Sequence, residues 1–171
     1  MNDVVTRASR VRLLGLDVDG VLTDGGVYIF EDGAQFRRFD IKDGLGLRRL
    51  LDCGVQVAII SAAETRAVEF RARHLGITEV HLRSENKLQT LREICERLTL
   101  ALEQVAYVGD DLNDLAIFHA VGLPCAPANA VDAVRAHARY VTAQPGGYGA
   151  VREVCDLIID SQSNTDDRIT G

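Results

Sequence analysis

The 171-residue chain has no tryptophan, one methionine and three prolines, and aromatic residues make up only 5% of it. So sparse an aromatic content leaves no surface of interleaved rings and basic side chains on which nucleic-acid bases stack. Basic charge is also in deficit, with 19 Lys and Arg against 25 Asp and Glu, a formal net charge of −6. Such a surface repels nucleic acid and anionic membranes, and any phosphate-bearing ligand must be drawn in by local cations. No apolar run approaches the roughly 20 residues that span a bilayer, and the first ten residues, MNDVVTRASR, contain no apolar secretory stretch. The chain is therefore expected to be cytoplasmic. Its four cysteines, Cys53, Cys95, Cys125 and Cys155, form no Cys-x-x-Cys pair. That argues against a zinc site or a disulfide framework and predicts four reduced core residues.

What is present fits one α/β domain. A hydrophobic fraction of 47% and a charged fraction of 26% are those of an ordinary globular protein, and 171 residues suffice for a full core. Val11 to Val18 is nearly continuous in apolar residues, as a strand buried on both faces requires. Gln56 to Ile60, Val105 to Val108, Leu123 to Ala126 and Glu79 to Leu82 are shorter candidates of the same kind. Between them, Leu45 to Leu51, Glu64 to Leu75, Lys87 to Leu98, Leu112 to Val121 and Ala150 to Ile159 carry helical spacing. On Glu64 to Leu75, Ala67, Val68, Arg71 and Leu75 are expected to share one face. Alternation of this sort predicts a doubly wound, mostly parallel sheet. One segment departs from it: Val27 to Phe30, Glu31-Asp32-Gly33 and Gln35 to Phe39 read as a β-hairpin. The expected division is an extension over 1–10, a catalytic domain over 11–160 and a flexible polar tail over 161–171.

Ligands of such sheets bind at the carboxyl ends of the strands. There the sequence places Asp17-Val18-Asp19-Gly20, then Ser61, then Lys87 at a helix start, then Gly109-Asp110-Asp111. Crowded carboxylates need a cation, and an all-oxygen set suits Mg²⁺. Asp17 and Asp110 are the natural metal ligands. Lys87, Ser61 and backbone N–H groups after Asp17 are suited to phosphoryl oxygens, since phosphoryl transfer rests mainly on positioning and charge neutralisation. Asp17 is then the nucleophile, and Asp19 the acid and base, provided a neighbouring anion raises its pKa. Asp24 and Asp111 are equally well read as caps of turns, and Ser61 competes as a helix N-cap. His74, His81, His119 and His137 lack metal-ligand spacing and read as surface or packing residues. Gly44-Leu45-Gly46 lacks the third glycine of a dinucleotide fingerprint.

These residues resemble the four motifs of the haloacid dehalogenase phosphatase superfamily. The likeness is carried by LDVDGVLTDG, FDIKDGLGLRRL, AYVGDDLND, VGLPCAPANA and GGYGAVREVCDLI, from about Arg12 to Asp160. Within it the chain looks like the capless phosphatases of 3-deoxy-D-manno-octulosonate 8-phosphate and of nonulosonate 9-phosphates, enzymes of sugar-acid and lipopolysaccharide synthesis. The resemblance implies an aspartyl-phosphate formed on Asp17, with Mg²⁺ held by Asp17, Asp110 and the backbone carbonyl of Asp19. It implies phosphate contacts from Ser61 and Lys87. Substrate or neighbouring-subunit contacts are implied for Asp19, Asp40, Ile41, Lys42, Asp43, Gly44, Arg48 and Arg71. It further implies a homotetramer whose hairpins form a central barrel, so that one subunit helps to close the site of the next. The short intervals between motifs leave no room for a cap domain, which fits a partner chain acting as lid. Two positions depart from the family pattern. Ser61-Ala62-Ala63 stands where Thr-Gly and a polar residue are usual, and Pro145 replaces an arginine before Gly146-Gly147. They leave the substrate open between the eight-carbon acid, a nine-carbon relative and another sugar phosphate.

Two other classes fit less well. A signalling receiver domain carries its acidic pair and its phosphate acceptor on different strands, the reverse of the order here. A non-catalytic module of the same fold would have lost Asp17, Asp19, Lys87 or Asp110, all of which are present.

Overall fold

Leu13–Leu16 is buried at every position and forms β1, near the middle of a six-stranded sheet. The computed structural model describes residues 2–169, and the side chains of residues 3–163. Before β1, α1 (Asn2–Ala8) folds back so that Ala8 enters the core. After it come β2 (Tyr28–Ile29), β3 (Gln35–Phe36) and α2 (Ile41–Asp52). The chain continues through β4 (Gln56–Ile60), α3 (Arg66–Leu75), β5 (Glu79–His81), α4 (Lys87–Leu98) and β6 (Val105–Val108). It closes with α5 (Leu115–Phe118), β7 (Leu123–Ala126), α6 (Asp132–His137), β8 (Tyr140–Val141) and α7 (Ala150–Ile169).

The sheet order is β5-β4-β1-β6-β7-β8, and every neighbouring pair is parallel. The strands are apolar on both faces because both are covered. Leu14, Leu16, Val57 and Ile59 pack with α2, α3 and α7, whereas Leu13, Ala58, Ile60 and Tyr107 pack with α4, α5 and α6. The chain winds outward from β1 to β5, then crosses back to β6 on the other flank of β1. That reversal opens a crevice at the carboxyl end of β1.

The expected α/β class is observed, with local corrections. The segment 112–121 is a 3₁₀ turn (Leu112–Asp114) followed by the short α5, because the fully buried Asp114 carboxylate, rather than an apolar stripe, anchors its first turn. Helix α3 begins at Arg66 behind the N-cap Thr65 and buries Val68, Ala72 and Leu75; half-buried Arg71 shares their side, lining one small cavity with Val68 and Leu75, while Ala67 lies at its edge. Cys53 is exposed, contrary to expectation, since it caps the C-terminus of α2 before Gly54 turns the chain at φ +82°. The other three cysteines are buried. Helix α7 runs on to Ile169 with Ser161 buried. The rest of the expected polar tail, the side chains from 164 onward and residues 170–171, lies outside the described residues.

The hairpin forms where expected. Gly33 takes φ +82° and Asp32 Oδ1 accepts a hydrogen bond from the Ala34 N–H (2.9 Å). Its apolar side chains face outward: Val27, Ile29, Phe30 and Phe36 are 71, 62, 57 and 44% exposed.

Candidate active site

Asp17 follows β1 directly, its N–H donating to the Val108 carbonyl (3.0 Å). The loop beyond is wound around one buried hydroxyl. Thr23 Oγ1 donates to the Val18 carbonyl and accepts from the N–H groups of Gly20 and Gly25, each at 3.3 Å. Gly20 has φ +81°, and any Cβ there would strike the carboxylate of Asp110. Glycine at this position thus lets the loop after β1 close onto the loop after β6.

Lys87, at the start of α4, lies between two carboxylates. Its Nζ donates to Asp17 Oδ2 (2.5 Å) and Asp114 Oδ1 (2.8 Å), and it is only 5% exposed. Burial opposes its charge, but Asp17 and Asp114 outweigh that and hold its pKa above the ordinary value. Asp114, absent from the expected site, is the most completely bound of the group. It also accepts from the Tyr107 hydroxyl (3.0 Å) and from the N–H groups of Asp110 (3.1 Å) and Asp111 (3.5 Å). The signal for it in the sequence is its place four residues after Asp110, which reads equally well as one more polar loop residue.

Carboxylate oxygens of Asp17, Asp110 and Asp114 lie within 4.8 Å of one another. The crowding has an electrostatic cost. Burial, then repulsion from Asp114, raises the Asp17 pKa to about 6 despite Lys87. Burial, then repulsion from Asp17 and Asp114, raises that of Asp110 to about 7. A hard divalent cation would reverse both shifts. Asp114 is already committed to Lys87, Tyr107 and two amides, so Asp17 and Asp110 are the carboxylates suited to such an ion.

A cleft of about 320 Å³ opens over this cluster, lined by Asp17, Asp19, Lys87 and Asp110 together with Ser61 and the apolar wall Ala62–Ala63. Ser61 is buried, and its Oγ accepts from the Ala63 N–H (3.2 Å). Thr65, not Ser61, caps α3, which removes the competing reading of Ser61. The bland readings hold for two other carboxylates. Asp111 caps the 3₁₀ turn, and Asp24 accepts from the Gly26 N–H and the Tyr28 hydroxyl, the latter holding its carboxyl below the usual range. Asp19 pairs with a cation rather than an anion: Arg37 Nε, from the end of the hairpin, donates to its Oδ1 (2.9 Å). Arg37 had no signal in the sequence, because it is joined to Asp19 only by the path of the hairpin.

The remaining candidate residues sit at the junction of α2 and α3. Asp40 is the N-cap of α2 and accepts from the Lys42 N–H (2.7 Å), with Ile41 exposed beside it. Arg71 donates to the Asp40 carbonyl (3.1 Å) and passes over Gly44, and Arg48 donates to the His74 carbonyl (2.6 Å). Asp43 is buried and accepts from the Arg152 N–H (2.8 Å). None of 40–44, 48 and 71 lines the cleft over Asp17 in the same chain.

An aspartate at the tip of β1, a lysine at the start of α4 and an aspartate pair after β6 are the arrangement of a hydrolase class. Residues 50–153 match the model of the haloacid dehalogenase-like hydrolases, and the chain belongs to that family. It is 44% identical to 3-deoxy-D-manno-octulosonate 8-phosphate phosphatase KdsC of Escherichia coli K12 over 96% of this chain and 88% of that protein. The crystal structure of the Yersinia pestis 3-deoxy-D-manno-octulosonate 8-phosphate phosphatase superposes with a TM-score of 0.93 at 42% identity, covering 96% of this chain and 89% of that one. The Moraxella catarrhalis enzyme, solved with magnesium, phosphate and KDO, gives 0.93 at 37% identity over 99% of this chain and 98% of that one. The chain is thus an enzyme, a phosphatase of this hydrolase family.

Proposed function

We propose that the protein hydrolyses a phosphorylated 3-deoxy-2-ulosonic acid, with the 8-phosphate of the eight-carbon acid favoured, through an aspartyl-phosphate on Asp17. The observation that carries the chemistry is the Lys87 ammonium held between Asp17 and Asp114 beside Asp110. The substrate is carried by 44% identity to phosphatases of that sugar acid over nearly the whole chain. Mg²⁺, held by the Asp17 and Asp110 carboxylates and the Asp19 carbonyl, supplies charge neutralisation to the transferring phosphoryl group.

Asp17 attacks phosphorus, and the ester P–O bond breaks as Asp19, protonated beside the anionic phosphate that the substrate brings and not by any anion of this chain, gives its proton to the leaving alkoxide. Lys87 and Ser61 hold the phosphoryl oxygens. Asp19 then takes a proton from a water that attacks the phosphorus of the aspartyl-phosphate, releasing phosphate and restoring Asp17. Asp114 keeps Lys87 in place and, through the Asp110 and Asp111 amides, sets the turn that presents Asp110. The outward-facing Val27, Ile29, Phe30 and Phe36 support assembly of four copies through their hairpins. In that assembly Asp40–Gly44, Arg48 and Arg71 serve a neighbour's substrate.

The test is phosphate release from the eight-carbon and nine-carbon ulosonate phosphates and from a generic aryl phosphate, with and without Mg²⁺, using Asp17→Asn as control. Faster turnover of one ulosonate phosphate, lost in the variant, supports the proposal. Cleavage of the aryl phosphate alone keeps the mechanism and overturns the substrate. Cleavage of nothing returns the reading to a non-catalytic module.

A further inference from the structure

Among the described residues two non-glycines have positive φ, Thr99 and Arg83, both at 56°. Thr99 is the C-cap of α4, where a left-handed residue commonly ends a helix. Arg83 caps nothing; it lies two residues beyond β5. A strained residue of this kind persists only where its surroundings hold it, and such residues gather at functional sites.

The surroundings here are the loop after β4. The Ser84 N–H donates to the Ser61 carbonyl (2.9 Å), the Arg83 N–H to the Ala63 carbonyl (3.5 Å), and the Arg83 guanidinium pairs with Glu64. Ser61, Ala62 and Ala63 form one wall of the cleft over Asp17. The left-handed turn therefore ties a residue with a long cationic side chain to the Ala63 end of that wall, whose two alanines offer no polar side chain; Arg83 and Glu64 themselves stand outside the cleft lining, next to it in the fold. Glycine would adopt the same backbone without strain, so the turn alone does not call for arginine.

Among the described residues of the same chain, the two other cations at the cleft, Lys87 and Arg37, are committed. Lys87 is buried between Asp17 and Asp114, and Arg37, 15% exposed, holds Asp19. The Arg83 and Glu64 side chains are 73% and 52% exposed, so solvent screens their attraction and another carboxylate can displace Glu64.

We propose that Arg83 is the specificity-determining residue for the carboxylate end of the substrate, with Glu64 occupying its guanidinium until that carboxylate arrives. The inference rests on the reading of the substrate as a phosphorylated sugar acid. With its phosphate at Asp17, the far end of such a molecule lies toward the mouth of the cleft. A planar guanidinium is suited to receiving a carboxylate there through paired hydrogen bonds.

The experiment compares wild type, Arg83→Gly and Glu64→Gln on the ulosonate phosphate and on a matched pair, 6-phosphogluconate and glucose 6-phosphate, which differ in a carboxylate. Arg83→Gly should raise the ratio of KM with the carboxylate to KM without it about tenfold, the scale of one charge-assisted contact. The change should fall on KM rather than kcat. Glu64→Gln should lower the same ratio several-fold. Arg83→Gly should also melt about 2 °C higher as the left-handed strain is relieved. An unchanged KM ratio in Arg83→Gly, whatever its melting temperature, reduces Arg83 to a structural residue and overturns the proposal. If wild type ignores the ulosonate phosphate, the substrate reading fails, yet the gluconate and glucose esters still decide the role of Arg83. If no ester is cleaved, calorimetric binding of 6-phosphogluconate to Mg²⁺-loaded wild type and Arg83→Gly decides it. Equal affinities overturn the proposal, and weaker binding to the variant upholds it.

Discussion

Two regions of this molecule depart from the usual placement of side chains, in opposite directions. The pole over β1 buries Asp17, Asp114 and Lys87, whereas the hairpin 27–36 leaves Val27, Ile29, Phe30 and Phe36 in solvent. Buried charge persists only when paired, and the pole supplies the partners: each oxygen of Asp114 accepts at least two hydrogen bonds. Exposed apolar surface lowers its free energy only by being covered, and the hairpin covers itself in part, stacking Tyr28 on Phe36 (4.6 Å) and Phe30 against the same ring (5.4 Å). On the proposed function both regions look outward, one to a cation and a phosphate, the other to further copies of the chain. The hairpin is tied to the loop after β1 through Tyr28 on Asp24, and the residue just past its second strand, Arg37, reaches Asp19.

The largest expected effect comes from the pole. Asp114→Leu leaves Lys87 with one carboxylate and strips the Tyr107 hydroxyl and two amides of their acceptor. Breaking a buried charge network on one side costs about 3–5 kcal/mol, and loss of Lys87 positioning should lower kcat by about 10²-fold. Chemical denaturation and steady-state kinetics measure the two. Intact stability would show that the network is ornamental to the fold.

Next is the response to metal. In the cation-free cluster the Asp17 pKa is raised to about 6 and that of Asp110 to about 7. Folded protein then retains protons that the unfolded chain has lost, so stability falls as pH rises from about 4 to about 7. Mg²⁺ needs both carboxylates ionised, and its stabilisation should grow across the same window. At one hundred times its Kd the ion contributes about 2.7 kcal/mol, a rise in Tm of about 5–10 °C. Melting curves at pH 5 and pH 8, with Mg²⁺ and with chelator, test this. Equal shifts at both values would separate the ion from this cluster.

The hairpin should behave in the opposite manner. Ile29→Asp combined with Phe36→Asp should shift the sedimentation profile toward monomer while altering the stability of the isolated chain by only about 0.5 kcal/mol, as is usual at exposed positions. An unchanged profile would mean that the hairpin is not the assembly surface.

What was legible in the sequence follows from chain proximity. Asp17, Asp19, Ser61 and Asp110 follow apolar runs and Lys87 opens a helix, so the strand and helix pattern places them at one pole. The hairpin was equally plain from its Asp-Gly turn. Asp114 and Arg37 were hidden because their roles depend on where a loop turns inward and where a hairpin folds back. Arg83 was hidden because left-handed backbone has no marker when the residue is not glycine. Cys53 misled because an apolar neighbourhood in sequence does not distinguish a helix interior from its cap.

The smallest effect sets two buried carboxylates against each other. Asp43 is 1% exposed, like Asp114, but only its Oδ1 is bound, to the Arg152 N–H, while Oδ2 has no hydrogen-bond partner among the described residues. It borders a cavity of about 10 Å³, the space of one water, and burial followed by repulsion from Asp40 outweighs the amide bond and raises its pKa to about 6. A raised carboxyl pKa means that the folded state gains stability as pH falls from about 6 to about 4, where it holds a proton that the unfolded chain does not. In saturating Mg²⁺, with Asp17 and Asp110 ionised, that gain should remain visible as a modest rise in Tm on acidification. Asp43→Asn should abolish it, raising Tm at pH 7.5 by removing an unpaired charge while keeping the acceptor for Arg152. Asp114→Asn should do the reverse, lowering Tm at pH 7.5, because the charge it removes faces Lys87. If the two variants move Tm in the same direction, pairing is not what separates a tolerated buried carboxylate from a costly one in this fold.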